Sequence, residues 1–226
     1  MDLFFKAVAI QARDRTTGVV PGLEDYIAVR RDTSACKPSW ALIEYANGLD
    51  LPDEVMEHQT IQSLDEAAND FVTWSNVSID TRPTHFPPVL TLDVFQDLFS
   101  YNREQANGDE HNIVVIMIRY HEMSLQEAVD FIGDLCKKSI DRFIEVRARL
   151  PSWGPEIDAQ VQVYVQGLAD CIACSLHWSF DSERYFAKKG GQIKKSGIVE
   201  LAPVRVPEPA APADSSVVTE AIVGVC

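Results

Sequence analysis

Apolar residues recur along most of this chain at three- and four-residue intervals, the spacing of one helical face. Leu3, Phe4, Val8 and Ala9 set that pattern in a first helix expected to end near Thr17-Gly18. Pro21-Gly22 punctuates it. Leu23 to Arg31 and Trp40 to Ala46 read as the next helices, the latter stopped by Asn47-Gly48. Ser63, with Glu66 three residues on, predicts a capping box opening a helix toward Trp74. Leu98 to Ala106 is helical and ends at Asn107-Gly108. Ser124 and Glu127 form a second capping box, whose helix can run to Leu150, before Pro151. Pro155 starts another through His177. Only the run Ile113 to Ile118 fits a strand as well as a helix. The expected fold class is all-α.

Three places break the pattern. Met1 sits almost at once on an apolar helical face, so sequence upstream of it is expected to be missing. Val77 to Gln96 holds Pro83, Pro87 and Pro88 and two β-rich stretches, which forbid a continuous helix. From Gly190 the chain turns rich in Gly, Pro, Ala and Ser, with Pro203, Pro207, Pro209 and Pro212 too close for helix between them. This predicts a helical domain over 1–189 and a flexible tail over 190–226.

Composition narrows the function classes. The 226 residues carry 20 Lys+Arg against 34 Asp+Glu, a net charge of −14, which argues against a nucleic-acid partner. Apolar residues make up 46%, too many for a disordered chain. The run Ile113 to Ile118 is far shorter than the roughly 20 residues that cross a bilayer, so no membrane span is expected. No signal peptide is visible, and five scattered cysteines (36, 136, 171, 174, 226) suit a reducing compartment; the expected location is cytoplasmic.

Candidate chemistry begins with Ser100 and Glu104, four apart and on one helix face. A hydroxyl and a carboxylate offer the oxygen ligands that Mg²⁺ prefers. A third oxygen ligand one turn earlier would complete a row, and Gln96 holds that place. Alone, the pair would pass for a solvated helix face. Deleting Val77 to Gln96 on paper joins Asn76 to Asp97 and gives Asn-Asp-Leu-Phe-Ser-Tyr-Asn-Arg-Glu. Asn76, Ser100 and Glu104 then fall at i, i+4 and i+8.

That string resembles the Asn-Asp-x-x-Ser-x-x-x-Glu metal motif of class I terpene synthases. The chain is similar to fungal sesquiterpene synthases, particularly the basidiomycete clade that includes protoilludene synthases. Two further segments agree: Tyr26 to Ser34, and Leu176 to Phe186 with Arg184-Tyr185. Taken singly, each arginine is an ordinary surface charge. The resemblance implies the C-terminal part of the class I helical fold. It implies metal ligands at Asn76, Ser100 and Glu104, with Gln96 or Asp97 as substitutes around the insertion. It also implies diphosphate contacts from Arg30, Arg103, Arg184 and Tyr185, with Thr33 and Ser34 at the break after the helix of Arg30. The expected reaction is Mg²⁺-dependent ionisation and cyclisation of farnesyl diphosphate. Trp74, Phe99 and Trp178 are available to line a pocket, although aromatic residues on helices are more often core.

Two departures qualify this. The family's aspartate-rich motif should lie upstream of Arg30, and Asp53-Glu54-Val55-Met56-Glu57 has its letters in the wrong order along the chain; after Pro52 it reads as helix-start chemistry. The insertion has the letters of a retained intron: Val77-Ser78 can encode a splice donor, Leu90-Thr91 a branch site and Phe95-Gln96 an acceptor, and its twenty codons keep the frame. The other reading is a genuine loop with Gln96 replacing the asparagine ligand. Both departures imply impaired or absent activity in this chain, and the competing class is a truncated, non-catalytic helical paralogue. Cys171 and Cys174 read as buried free thiols rather than a zinc pair. Asp109-Glu110-His111 reads as a cap for the next helix.

Overall fold

The computed structural model describes residues 2–74, 90–91, 96–108 and 110–203. The first helices are α1 (Asp2–Thr17), α2 (Leu23–Thr33), α3 (Cys36–Asn47), the single turn α4 (Asp53–Met56) and α5 (Gln59–Trp74). After them come α6 (Gln96–Ala106), α7 (Ile113–His121), α8 (Leu125–Arg147) and α9 (Pro155–Asp181). The short α10 (Glu183–Phe186) and α11 (Gly190–Ser196) follow. One two-residue antiparallel pair joins β1 (Leu90–Thr91) to β2 (Ile198–Val199). The class is all-α, as the periodicity predicts.

α5 is the axis of the bundle. From Ala67 to Trp74 every residue is buried, and α2, α3, α6, α8 and α9 all pack around it. Small Ala67 and Ala68 admit the neighbouring helices, while Ile61, Leu64 and Phe71 fill the core between them. Gly167 of α9 lets α3 approach, since a Cβ there would lie 2.4 Å from the Ile43 side chain.

Several boundaries differ from expectation. α5 starts at Gln59, so Ser63 lies inside it. Ile61 is fully buried, and including it in the helix outweighs a polar box one turn later. At the true start, the His58 Nδ1 accepts from the Thr60 N–H at 3.2 Å. The box of Ser124 and Glu127 is present at α8 in both directions. The ambiguous run at 113–118 is helical in α7, where four of its six residues are buried by neighbouring helices.

The ordered body continues beyond 189. Gly190 begins α11, which packs on α9, with Ile193 and Val199 buried. Gly190 is there for packing: a Cβ would lie 1.9 Å from the Phe180 carbonyl oxygen. The expected tail boundary at 190 is therefore displaced, and residues 204–226 lie outside the described residues. Among the described residues no helix is long and apolar enough to cross a membrane.

Candidate functional site

α9 ends at Ser182, whose extended backbone redirects the chain so that α10 lies against α6. This sets Tyr185 half-buried beside exposed Arg184, with the guanidinium carbon 5.5 Å from the Tyr185 ring centroid. Trp178 meets the same ring edge-to-face at 6.1 Å. Burial raises the Tyr185 phenol above its usual range. The charge and hydrogen bond of Arg184 and the charge of Arg30 oppose the rise, and Glu104 adds to it. Side chains from α2, α6 and α10 thus lie within electrostatic reach of one hydroxyl.

On α6, Ser100 and Glu104 are both half-buried and one turn apart, while Arg103 is exposed in the last turn. Glu104 Oε2 accepts from Asn112 Nδ2 at 2.9 Å. Asn112 is fully buried, and its Oδ1 caps α7 by accepting from the Val114 N–H at 2.8 Å. Sequence reading missed Asn112, although an asparagine just before an apolar run is an N-cap signal. Asn76 and residues 77–89 and 92–95 of the insertion lie outside the described residues. Gln96 and Asp97 form the first turn of α6.

The donors on α6 suit a hard divalent ion, since both are oxygens. Among the described residues no three His, Cys, Asp or Glu side chains gather as a metal site. Ser100 and Glu104 are the α6 donors that could hold such an ion, and Asn76, the third expected ligand, lies outside the described residues.

Arg30 sits half-buried in the last turn of α2. The helix ends there because Ala35 takes the left-handed conformation, φ 61°, before α3 begins. Arg31 turns the other way: its Nε and Nη2 fork onto Asp70 of α5 at 2.6 and 2.8 Å. Arg142 of α8 reaches the same carboxylate at 3.4 Å. Trp74 is core, 3% exposed and tilted against Tyr26, whereas Trp178 is 49% exposed.

The decoys resolve simply. Cys171 and Cys174 lie mid-α9 as free thiols, but neither is buried as expected: Cys171 is part-exposed and Cys174 exposed. Burial pushes the Cys36 thiol up to about 11, leaving it unreactive. Asp53 and Glu54 occupy the first turn of α4 as helix-start residues. The cap of α7 is Asn112 instead of the 109–111 triplet; Asp109 lies outside the described residues, and Glu110 pairs with Arg119.

Residues 1–142 match the family model described as terpene synthase family 2, C-terminal metal binding. The chain belongs to the terpene synthase family. Among its relatives, sesquiterpene synthase 1 of Postia placenta is 56% identical over 204 residues, covering 90% of this chain and 54% of that protein. Delta(6)-protoilludene synthase of Stereum hirsutum is 36% identical over 213 residues, covering 93% and 52%. The crystal structure of germacradien-4-ol synthase from Streptomyces citricolor superposes with a TM-score of 0.61 at 25% identity, covering 80% of this terpene synthase chain and 52% of that one. The chain therefore spans about half the length of the relatives it matches.

Proposed function

We propose that this chain supplies the C-terminal diphosphate- and metal-binding part of a sesquiterpene synthase acting on farnesyl diphosphate. The observation that supports this reading is the packing of α10, which carries Arg184 and Tyr185, against α6, which carries Ser100 and Glu104, with the charge of Arg30 acting on the same phenol.

The chemistry asked of such a site is ionisation: the allylic carbon–oxygen bond breaks, pyrophosphate leaves and a carbocation remains. Donors fixed where the leaving group gains charge stabilise that step more than the ground state. Arg30 and Arg184 would donate to the diphosphate oxygens. Tyr185, its phenol held protonated by burial, would donate as well. Arg103, exposed beside Glu104, would add charge at the same end. Ser100 and Glu104, with Asn76, would hold Mg²⁺, which when bound neutralises the leaving group. The exposed Trp178 face could stabilise a nearby cation.

Acting alone, these residues are expected to bind the leaving group better than they turn over substrate. The metal row is interrupted at 77–96. The test is calorimetric titration with pyrophosphate and Mg²⁺, alongside incubation with farnesyl diphosphate and extraction of hydrocarbons. Metal-dependent pyrophosphate binding, lost in Arg184→Ala and Arg30→Ala, is the expected result. A folded chain that binds no pyrophosphate would favour the non-catalytic paralogue and overturn this reading. Efficient hydrocarbon formation would overturn the expectation of impairment.

A further inference from the structure

The corner between α2 and α3 is strained and deliberately held. Ala35 is a non-glycine residue at positive φ, a conformation that persists only where surrounding contacts over-determine it. Part of that hold is local, with Ser34 Oγ 3.0 Å from the Arg31 carbonyl oxygen, and part comes from one side chain of α5. Asn69 is 3% exposed and uses both ends of its amide. Its Nδ2 donates to the Arg31 carbonyl at 2.8 Å, before the break. Its Oδ1 accepts from Ser34 Oγ at 2.8 Å, at the break, and from Thr73 Oγ1 at 3.1 Å. Ser34 Oγ in turn accepts from the Cys36 N–H at 3.2 Å, just after the break. A single buried amide therefore fastens both flanks of the corner to α5.

The neighbouring residue secures the side chain. Asp70, 6% exposed, takes the fork of Arg31. Consecutive helical residues point about 100° apart, so fixing Arg31 toward α5 and α8 fixes the direction of Arg30. Arg30 is left off that side, and its charge acts on the Tyr185 phenol.

We infer that Asn69 is a positioning residue for Arg30: by holding the Arg31 carbonyl and the Ser34 hydroxyl, it keeps the α2–α3 corner in the strained form that presents the Arg30 guanidinium to a diphosphate. The inference rests on the functional reading above for the identity of the anion. It also joins the corner to α5, the helix that leads on toward Asn76.

The full chain is tested as Asn69→Ala and Ser34→Ala, the second sparing the interior of α5. Hydrogen exchange followed by mass spectrometry reads the corner without any ligand. Both variants should speed exchange at residues 34–36 by about tenfold or more while α8 keeps its protection, the pattern of a local opening. Titration with magnesium pyrophosphate reads the consequence for Arg30. Asn69→Ala should weaken binding by about tenfold in the otherwise native chain and by less than about twofold in an Arg30→Lys background, since coupled residues are non-additive. Equal losses in both backgrounds would mean a general structural role and overturn the inference. Unchanged exchange at 34–36 in a variant that still folds would overturn it as well. A native chain with no pyrophosphate binding would overturn the functional reading and the diphosphate clause together. Exchange at 34–36 would then decide only whether Asn69 braces the corner.

Discussion

Asn112 serves Glu104 and α7 with the two ends of one buried amide, donating to the Glu104 carboxylate at 2.9 Å and accepting from the Val114 N–H at 2.8 Å. The carboxylate thus has its orientation set by a residue eight positions along, across the turn between α6 and α7. Where a carboxylate holds a metal, removing the side chain that orients it often costs ten- to a hundredfold in metal affinity. Asn112→Ser keeps a good N-cap but cannot reach Glu104. It should leave thermal unfolding within about 1 kcal/mol of the native chain. Mg²⁺-dependent pyrophosphate binding, measured by calorimetry, should fall roughly tenfold or more.

Asp65 predicts a pH dependence. Its carboxyl receives the Tyr164 hydroxyl at 2.9 Å, tying α5 to α9. Burial chiefly, with the charges of Glu44 and Glu66, raises it from 3.8 to about 7, against the Tyr164 bond and Lys37. The folded chain keeps a proton there that an unfolded aspartate loses near 3.8. Folding therefore takes up a proton in this interval, and the residue's contribution to stability falls as pH rises from about 4 to about 7, then levels. Asp65→Asn keeps an acceptor for Tyr164 and cannot ionise. Its melting temperature relative to the native chain should rise between pH 5 and pH 8; a constant difference would contradict the shift.

Asp70 holds Arg31 and Arg142 together, while Glu66 stands 3.9 Å from each and is half exposed. Asp70→Asn leaves two guanidinium groups facing each other. Urea denaturation should show a loss of about 2 kcal/mol, the scale of charge-assisted hydrogen bonds. Glu66→Gln should change stability by less than about 0.5 kcal/mol, as exposed pairs do.

Adjacent glycines of α11 should respond in opposite directions. Gly190→Ala forces a Cβ against the Phe180 carbonyl and should destabilise by about 2 kcal/mol through overpacking. Gly191 has nothing within 4 Å of an added Cβ. Gly191→Ala should stabilise by up to about 1 kcal/mol from helix propensity. Thermal melts of the two variants check the pair.

The candidate site was partly legible because local and spaced letters carry it. Ser100 and Glu104 share a face in any helix, and Arg184-Tyr185 stands at the end of a long periodic segment. Asn69, Asp70 and Asn112 were not legible as site-supporting residues. Asn69 and Asp70 meet partners at α2 and on α8 that lie 35 to 72 positions away, Asn112 reaches Glu104 only across the turn between α6 and α7, and polar letters in a helix pattern ordinarily mark solvent. Burial gives them meaning only after α2, α6 and α8 close around them.

The all-α class, most helices, the Ser124 cap and the spacing of Ser100 with Glu104 are readable from the order of residues alone. Each follows from periodicity or hydrogen bonding within a few residues, which the chain specifies before any long-range contact forms. Long-range packing supplies the rest. Burial of Ile61 carried α5 past the Ser63 box. Packing against neighbouring helices made 113–118 a helix. The close approach of Phe180 turned a glycine pair that reads as a flexible linker into the start of a packed helix. The packing of α10 against α6, which brings Tyr185 to the helix of Glu104, likewise joins segments about 80 residues apart, which no local pattern encodes.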